Sequence, residues 1–163
     1  TAGPYPLGYH GLGDLFVFLY FGLAAVSGTC FVQTGEWSST SLLLGVPMGC
    51  FGAAVLTVNN IRDMDQDARV GKRTLPVRLG RAGARGYFNL LVVLPYLMIL
   101  GMIGTGLLPL VAGVSILTAP LALRLIFTVG RQTDGPSLNA ALAQTAALLL
   151  VFGLLLSGSL LAS

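Results

Sequence analysis

Charge is what this sequence has least of. Only 9% of its 163 residues are Asp, Glu, Lys or Arg, against about a quarter in soluble domains. In its place stand 55% hydrophobic residues and a mean hydropathy of +0.84, which exclude an ordinary soluble domain. Histidine occurs once, at His10, so neither a His-based metal cluster nor a Ser/His/Asp triad is within easy reach. The two cysteines, Cys30 and Cys50, lie inside apolar runs, where packed or lipid-facing thiols are expected rather than a disulfide or a metal site. No internal repeat or second, soluble domain is visible. The segment "GMIGTG" is no dinucleotide fingerprint, because no strand precedes it and its spacing is wrong. The opening "TAGPYPLGYHGLGD" has no initiator Met, no basic leader and no cleavage site. It reads as the start of a fragment or a processed chain.

What is present is long apolar runs. A helix needs about 20 mostly apolar residues to cross a bilayer. Five segments qualify, at roughly 13–33, 41–61, 87–106, 108–128 and 138–160. The expected fold class is therefore all-α, a polytopic membrane bundle of five transmembrane helices. "GTGLLP" (104–109) reads as a tight turn between the third and fourth spans, and "GRQTDGPS" (130–137) as the linker to the fifth. In the second span Gly45, Gly49 and Ala53 recur every four residues, the spacing of a close helix–helix contact.

The few charges are not scattered. Seven of the nine basic residues (Arg62, Arg69, Lys72, Arg73, Arg78, Arg81 and Arg85) fall between the second and third spans, and Arg124 and Arg131 are assigned to the fourth-to-fifth connection. With five helices both connections lie on one side, which the positive-inside rule makes cytoplasmic. The N-terminus is then cytoplasmic and the C-terminus outside, with Glu36 alone among charged residues in the opposite loops. Gln33 falls near that outer end, far from the charged window.

Three of the six carboxylates, Asp63, Asp65 and Asp67, share the stretch "NNIRDMDQDARVGKRTLPVRLG" (59–80). On a helix continuing from the second span, Asn59, Asp63 and Asp67 fall at i, i+4 and i+8, one face, while Asp65 points nearly the opposite way. Two carboxylates four residues apart repel, by a few tenths of a kcal/mol, and a hard divalent cation removes that penalty. Mg²⁺ is held characteristically by one or two carboxylates together with substrate phosphate oxygens. The pair at a membrane helix end thus suits a metal-bridged diphosphate, with Lys72 and Arg73 within reach of the same oxygens. The competing reading is a hydrated loop whose charges only set topology or meet anionic lipid headgroups, the latter suiting Arg78, Arg81 and Arg85. Nucleic acid is disfavoured, since the basic residues alternate with Asp and no stacking aromatics interrupt them. Asp14, at the start of the first span, reads either as a polar group at a cavity mouth facing substrate or as a helix-start carboxylate favoured by the macrodipole.

These residues resemble the second Asp-rich motif of the UbiA superfamily of intramembrane prenyltransferases. The extended form, with "GKRTL" and "VRLG", is similar to the 1,4-dihydroxy-2-naphthoate prenyltransferase branch, as are "PLGYHGLGDLFVFLYFG" (6–22) and "VQTGEW" (32–37). The last two spans agree only in hydropathy. The resemblance implies nine helices around a central cavity, of which the five here correspond to the C-terminal five. It implies Mg²⁺-dependent transfer of a polyprenyl group from polyprenyl diphosphate to an aromatic acceptor, with loss of the ring carboxylate in the naphthoate branch, giving a demethylmenaquinone. On that pattern Asp63 and Asp67 are metal–diphosphate ligands, with Asn59, Arg62, Lys72 and Arg73 beside them and Asp14 a weaker candidate. The expected location is a bacterial plasma membrane, with the site on the cytoplasmic side.

Two departures stand out. The family's first motif, Asn-x-x-x-Asp-x-x-x-Asp, is absent, since Asp14, Glu36 and Asp134 are isolated. A chain carrying one of two metal motifs is expected to be inactive without an N-terminal half. Pro76 follows Thr74-Leu75 where Ala is more usual in the family, and is expected to cap or bend a short helix. The alternatives are a neighbouring branch that prenylates homogentisate or hydroxybenzoate, and a membrane scaffold or transporter with a lipid-binding basic loop.

Overall fold

The computed structural model describes residues 6–162. Residues 1–5 and 163, part of the single unit expected over 1–163, lie outside the described residues. Among the described residues five helices are long and apolar enough to cross a membrane: α1 Gly13–Thr34, α2 Ser39–Arg69, α3 Leu75–Gly104, α4 Leu110–Arg131 and α5 Gly135–Leu161. No strand occurs among them. Helices are the only open-ended elements that satisfy their own backbone hydrogen bonds in lipid, so the all-α expectation follows directly.

The boundaries correct the sequence reading in one respect. α2 runs unbroken to Arg69 and α3 begins at Leu75, so the long charged loop expected between them shrinks to residues 70–74. Arg78, Arg81, Arg85 and Arg124 all lie within helices. A helix whose end leaves the apolar layer need not stop there, because polar residues continue it in water as readily as apolar ones. Pro76 sits in the first turn of α3, where its missing N–H costs nothing. Four residues later Gly80 (φ 69°, ψ 168°) breaks the helix, leaving a short helical turn around Pro76.

α2 is the central element and packs against α1, α3 and α5, while α4 closes the far side against α3 and α5. One aromatic cluster joins three helices: the Phe51 ring lies 4.9 Å from Phe152 and 6.0 Å from Tyr96, in edge-to-face geometry. The Tyr96 hydroxyl then meets Thr118 Oγ1 of α4 at 2.8 Å. The small-residue stripe of α2 has a definite partner. A Cβ placed on Gly22 of α1 would stand 2.5 Å from the Gly49 Cα and 2.6 Å from the Gly45 carbonyl. The two backbones touch there, inside a seven-residue π-helical stretch, Phe18–Ala24. Cys50 is buried, Cys30 is partly exposed, and both are free thiols.

α5 is capped at its N-terminus by Asp134, whose carboxylate accepts the Ser137 N–H at 2.8 Å. That N–H, with the Ser137 side chain, holds the exposed carboxyl below its ordinary value. The cap's contribution is accordingly complete above the unfolded pKa and is lost as pH falls through the lower, folded one.

Candidate functional site

The charged end of α2 is shaped by what terminates it. Gly71 takes a left-handed conformation (φ 73°), open to glycine at no steric cost. The chain therefore folds back at once, and the Lys72 N–H reaches the Asp67 carbonyl at 2.8 Å. This reversal carries the Lys72 ammonium onto the Asp67 carboxylate, 3.1 and 3.0 Å from its two oxygens. Asp67 is buried, its side chain only 9% exposed. The Arg73 N–H is bonded to the Tyr9 carbonyl at 3.1 Å, which docks the N-terminal turn Leu7–His10 onto the same loop.

One turn earlier, Arg62 organises a second group. Its Nε and Nη2 grip both oxygens of Asp63 at 2.7 Å, Nη2 also donates to Asn59 Oδ1 at 2.9 Å, and Nη1 donates to Asn139 Oδ1 of α5 at 2.5 Å. Asp65 faces away as its spacing requires and pairs with Arg81 of α3 at 3.1 Å, its own side chain 78% exposed.

Of the seven candidate residues, the structure joins Asn59, Arg62 and Asp63 in one hydrogen-bonded group, and Asp67 with Lys72 in another. Both sit on the terminal turns of α2. Arg73 is exposed and contributes through its backbone. Asp14 lies in the first turn of α1, lines a pocket and is 3% exposed. Its Oδ1 lies 2.9 Å from the Thr57 hydroxyl. A carboxylate in the first turn of α1 is buried because α1 lies flat on α2 at its glycine contact.

The donor chemistry fits a hard cation. Asp63 and Asp67 are oxygen donors one helical turn apart, and an ionised carboxylate has about four acceptor directions, so a bidentate arginine does not exhaust Asp63. Among the described residues no group of three or more His, Cys, Asp or Glu side chains could hold a metal by itself. A cation here would need oxygens from its ligand as well, as Mg²⁺ commonly has.

Two kinds of space adjoin these groups. A polar pocket of about 320 Å³ is lined by Asp14, Asn59, Asn60, Lys72 and Thr74. At Asn59, Val17 and Leu56 it meets an apolar cleft of about 490 Å³ between α1, α2 and α5. That cleft shares Phe21, Gly52, Ala146 and Leu149 with a further apolar space of about 500 Å³ reaching Leu160 near the far end of α5. A polar head thus opens into a greasy trough running the length of the bundle. The shape and polarity suit a polar group in the pocket and a long apolar tail in the trough.

The contact from Asn139 is the functional feature that sequence reasoning missed. Its partner lies 77 residues away. The available signal was a polar side chain within an apolar span, a position polar residues seldom occupy without a task.

Comparison with known proteins agrees with this geometry. The model of the UbiA prenyltransferase family matches residues 1–147. A 1,4-dihydroxy-2-naphthoate octaprenyltransferase of Mycobacterium tuberculosis is 39% identical over 161 residues, covering 98% of this chain and 54% of that protein. The protein of the same name from Haemophilus influenzae is 35% identical, over 99% of this chain and 52% of its own length. A UbiA prenyltransferase domain-containing protein 1 of Xenopus tropicalis is 38% identical over 146 residues, 90% of this chain and 41% of its own. The chain spans about half the length of the curated relatives it matches.

Proposed function

The chain belongs to the UbiA prenyltransferase family, and on that premise we propose that it forms the C-terminal part of an intramembrane enzyme transferring a polyprenyl group from polyprenyl diphosphate to 1,4-dihydroxy-2-naphthoate. The observation that carries this reading is that Asn59 and Lys72, bonded to Arg62 and Asp67 respectively, line a polar pocket that runs on into an apolar trough. An allylic diphosphate needs its leaving group neutralised, its tail sheltered and its electrophilic carbon kept from water; the Asp63/Asp67 face answers the first need and the apolar trough the other two.

Asp63 and Asp67 are the residues that would hold Mg²⁺, which when bound supplies positive charge to the diphosphate oxygens. Lys72, already turned toward this face, offers a fixed cation for the same oxygens. Arg62 holds Asp63 in place and is itself held by Asn59 and Asn139. The trough walls exclude water, so that the cation formed at the allylic carbon meets the ring rather than solvent. The ring carbon supplies the electron pair for the new C–C bond, diphosphate departs with the pair of the broken C–O bond, and the ring carboxylate leaves as CO₂. The first Asp-rich motif of the family reading would come from a further segment, on the same polypeptide or another. The charged ends face the cytoplasm of a bacterial cell, an orientation supported by the clustering of Lys and Arg at one end of the helices.

The test is prenyl transfer in membranes supplied with Mg²⁺, a polyprenyl diphosphate and the naphthoate, by this chain alone and with a segment carrying the first motif. Transfer is expected only in the second case; turnover by the 163 residues alone would overturn the half-site reading. A panel with homogentisate and hydroxybenzoate separates the branches, and lipid binding without any Mg²⁺–diphosphate binding would point to a scaffold instead.

Asn139 gives a more local check. Asn139→Ala removes one charge-assisted bond from Arg62 and is expected to lower kcat/KM about tenfold. Asn139→Gln, which keeps the amide, should retain most of the activity. Equal activity in all three proteins would mean that the contact does not position Arg62.

A further inference from the structure

The two acidic residues on the α2 face account for the metal and the diphosphate, but the polar pocket next to them contains groups that this assignment leaves unused. Asp14 is 3% exposed, and among the described residues its one side-chain donor is Thr57. That hydroxyl has a single proton and is also 2.8 Å from the Ala53 carbonyl. A carboxylate has about four acceptor directions, so Asp14 can accept from a ligand as well as from Thr57, and a buried charged group is stabilised by each donor it gains. Thr74 lines the same pocket, is likewise 3% exposed, and among the described residues its hydroxyl has no hydrogen-bond partner. Two polar side chains, each more than nine-tenths buried, therefore border one cavity, Asp14 held by Thr57 and the Thr74 hydroxyl without a partner among the described residues.

The walls narrow the choice of ligand. Gly8, Gly11 and Gly13 present bare backbone to the pocket, opposite Leu56 and Val17. A Cβ on Gly13 would come within 3.2 Å of Leu56, and one on Gly11 within 3.0 Å of the Arg73 carbonyl. The faces are thus kept flat and close. At about 320 Å³ the space admits a ring system but no long chain, and the Asp14 carboxylate, an acceptor only, calls for a donor, which a ring hydroxyl supplies and a diphosphate does not. Lys72 borders the pocket and also binds Asp67, so whatever occupies it lies beside the diphosphate face.

We propose that this pocket is the seat of the aromatic acceptor, with a ring hydroxyl donating to Asp14 and a second ring oxygen meeting the Thr74 hydroxyl. Resting as it does on the prenyltransferase reading, the assignment gives Asp14 the acceptor rather than the diphosphate. A hydroxyl hydrogen-bonded to a carboxylate also feeds electron density into the ring, which favours attack through carbon.

The test is binding, measured by naphthalene fluorescence on the purified chain in detergent, with 1-hydroxy-2-naphthoate and 2-naphthoate as probes. The hydroxylated compound is expected to bind about tenfold tighter. Asp14→Asn and Thr74→Val should each weaken it by a similar factor, the first also erasing the preference, while Asp65→Asn, at an exposed side chain paired with Arg81, leaves both affinities unchanged. Thr74→Val lies in the 70–74 loop and keeps the side-chain shape, so it reports even if Asp14→Asn disturbs α1. Absence of a hydroxyl preference, or a preference that survives both substitutions, overturns the proposal. Because no turnover is needed, failure of prenyl transfer would leave this result standing. Conversely, transfer by an enzyme whose acceptor affinity ignores Asp14 and Thr74 would sink the pocket assignment alone.

Discussion

Asp63→Asn and Asp67→Asn, each made in the complete enzyme, are expected to lower kcat/KM by at least about 10²–10³-fold, the usual effect of removing one electrostatic stabiliser of a developing charge. Amide for carboxylate keeps size and one acceptor oxygen, so helix content and membrane insertion should be unaltered. The two substitutions differ in their surroundings. Asp67 is buried against Lys72, and Asp67→Asn leaves that ammonium without its counter-charge in a partly dry site. Asp63→Asn frees one edge of an arginine that Asn59 and Asn139 still hold. The internal control is Asp65→Asn, two residues from each: its side chain is 78% exposed and paired at the surface with Arg81. An exposed pair is worth about 0–1 kcal/mol, and activity should be preserved. A comparable loss in all three variants would show that the window matters only for its overall charge; near-normal turnover in Asp63→Asn and Asp67→Asn would remove the metal role.

The second large effect concerns the contact that places α1. Gly22→Leu should separate α1 from α2 and destabilise the protein in detergent by at least about 1–3 kcal/mol, the cost of overpacking. The obstruction is backbone, since even a methyl at Gly22 would stand 2.5 Å from the Gly49 Cα, and neither helix can yield by changing a rotamer. Activity should fall with stability, because α1 carries Asp14 and one wall of the trough. Gly28, six residues further along α1, has nothing within 4 Å of an added Cβ, so Gly28→Leu should be close to neutral. Thermal unfolding of the two variants side by side decides the matter: equal transitions would mean that small residues on this stripe are not there for close approach.

Much of this was legible from the chain alone. The five spans emerged because lipid demands about 20 apolar residues for each crossing and leaves helices as the means of satisfying the backbone. The Asp63/Asp67 face emerged because positions four apart on one helix are neighbours whatever the rest of the molecule does. Asp65 was placed on the other face by the same rule. The helix ends were read less well. Hydropathy marks where a segment leaves the apolar layer, whereas α2 and α3 continue past that point and turn an expected loop into helix.

The partner of Gly45 and Gly49 was not legible, nor was the link from Arg62 to Asn139, nor the bond from Thr57 to Asp14, nor the meeting of Asp14 and Thr74 at one pocket. Each joins residues on different elements, 43 residues apart for Asp14 and Thr57 and 77 for Arg62 and Asn139. Local periodicity carries no information over such separations. The sequence by itself determined the membrane class, the number of spans and the chemistry of the charged window, since these depend on composition and on spacing within one helix. Which helix faces meet, and so which polar groups share a cavity, was decided by tertiary packing alone. Apolar side chains are nearly interchangeable toward lipid, and only close contact, such as that at Gly22, selects one arrangement.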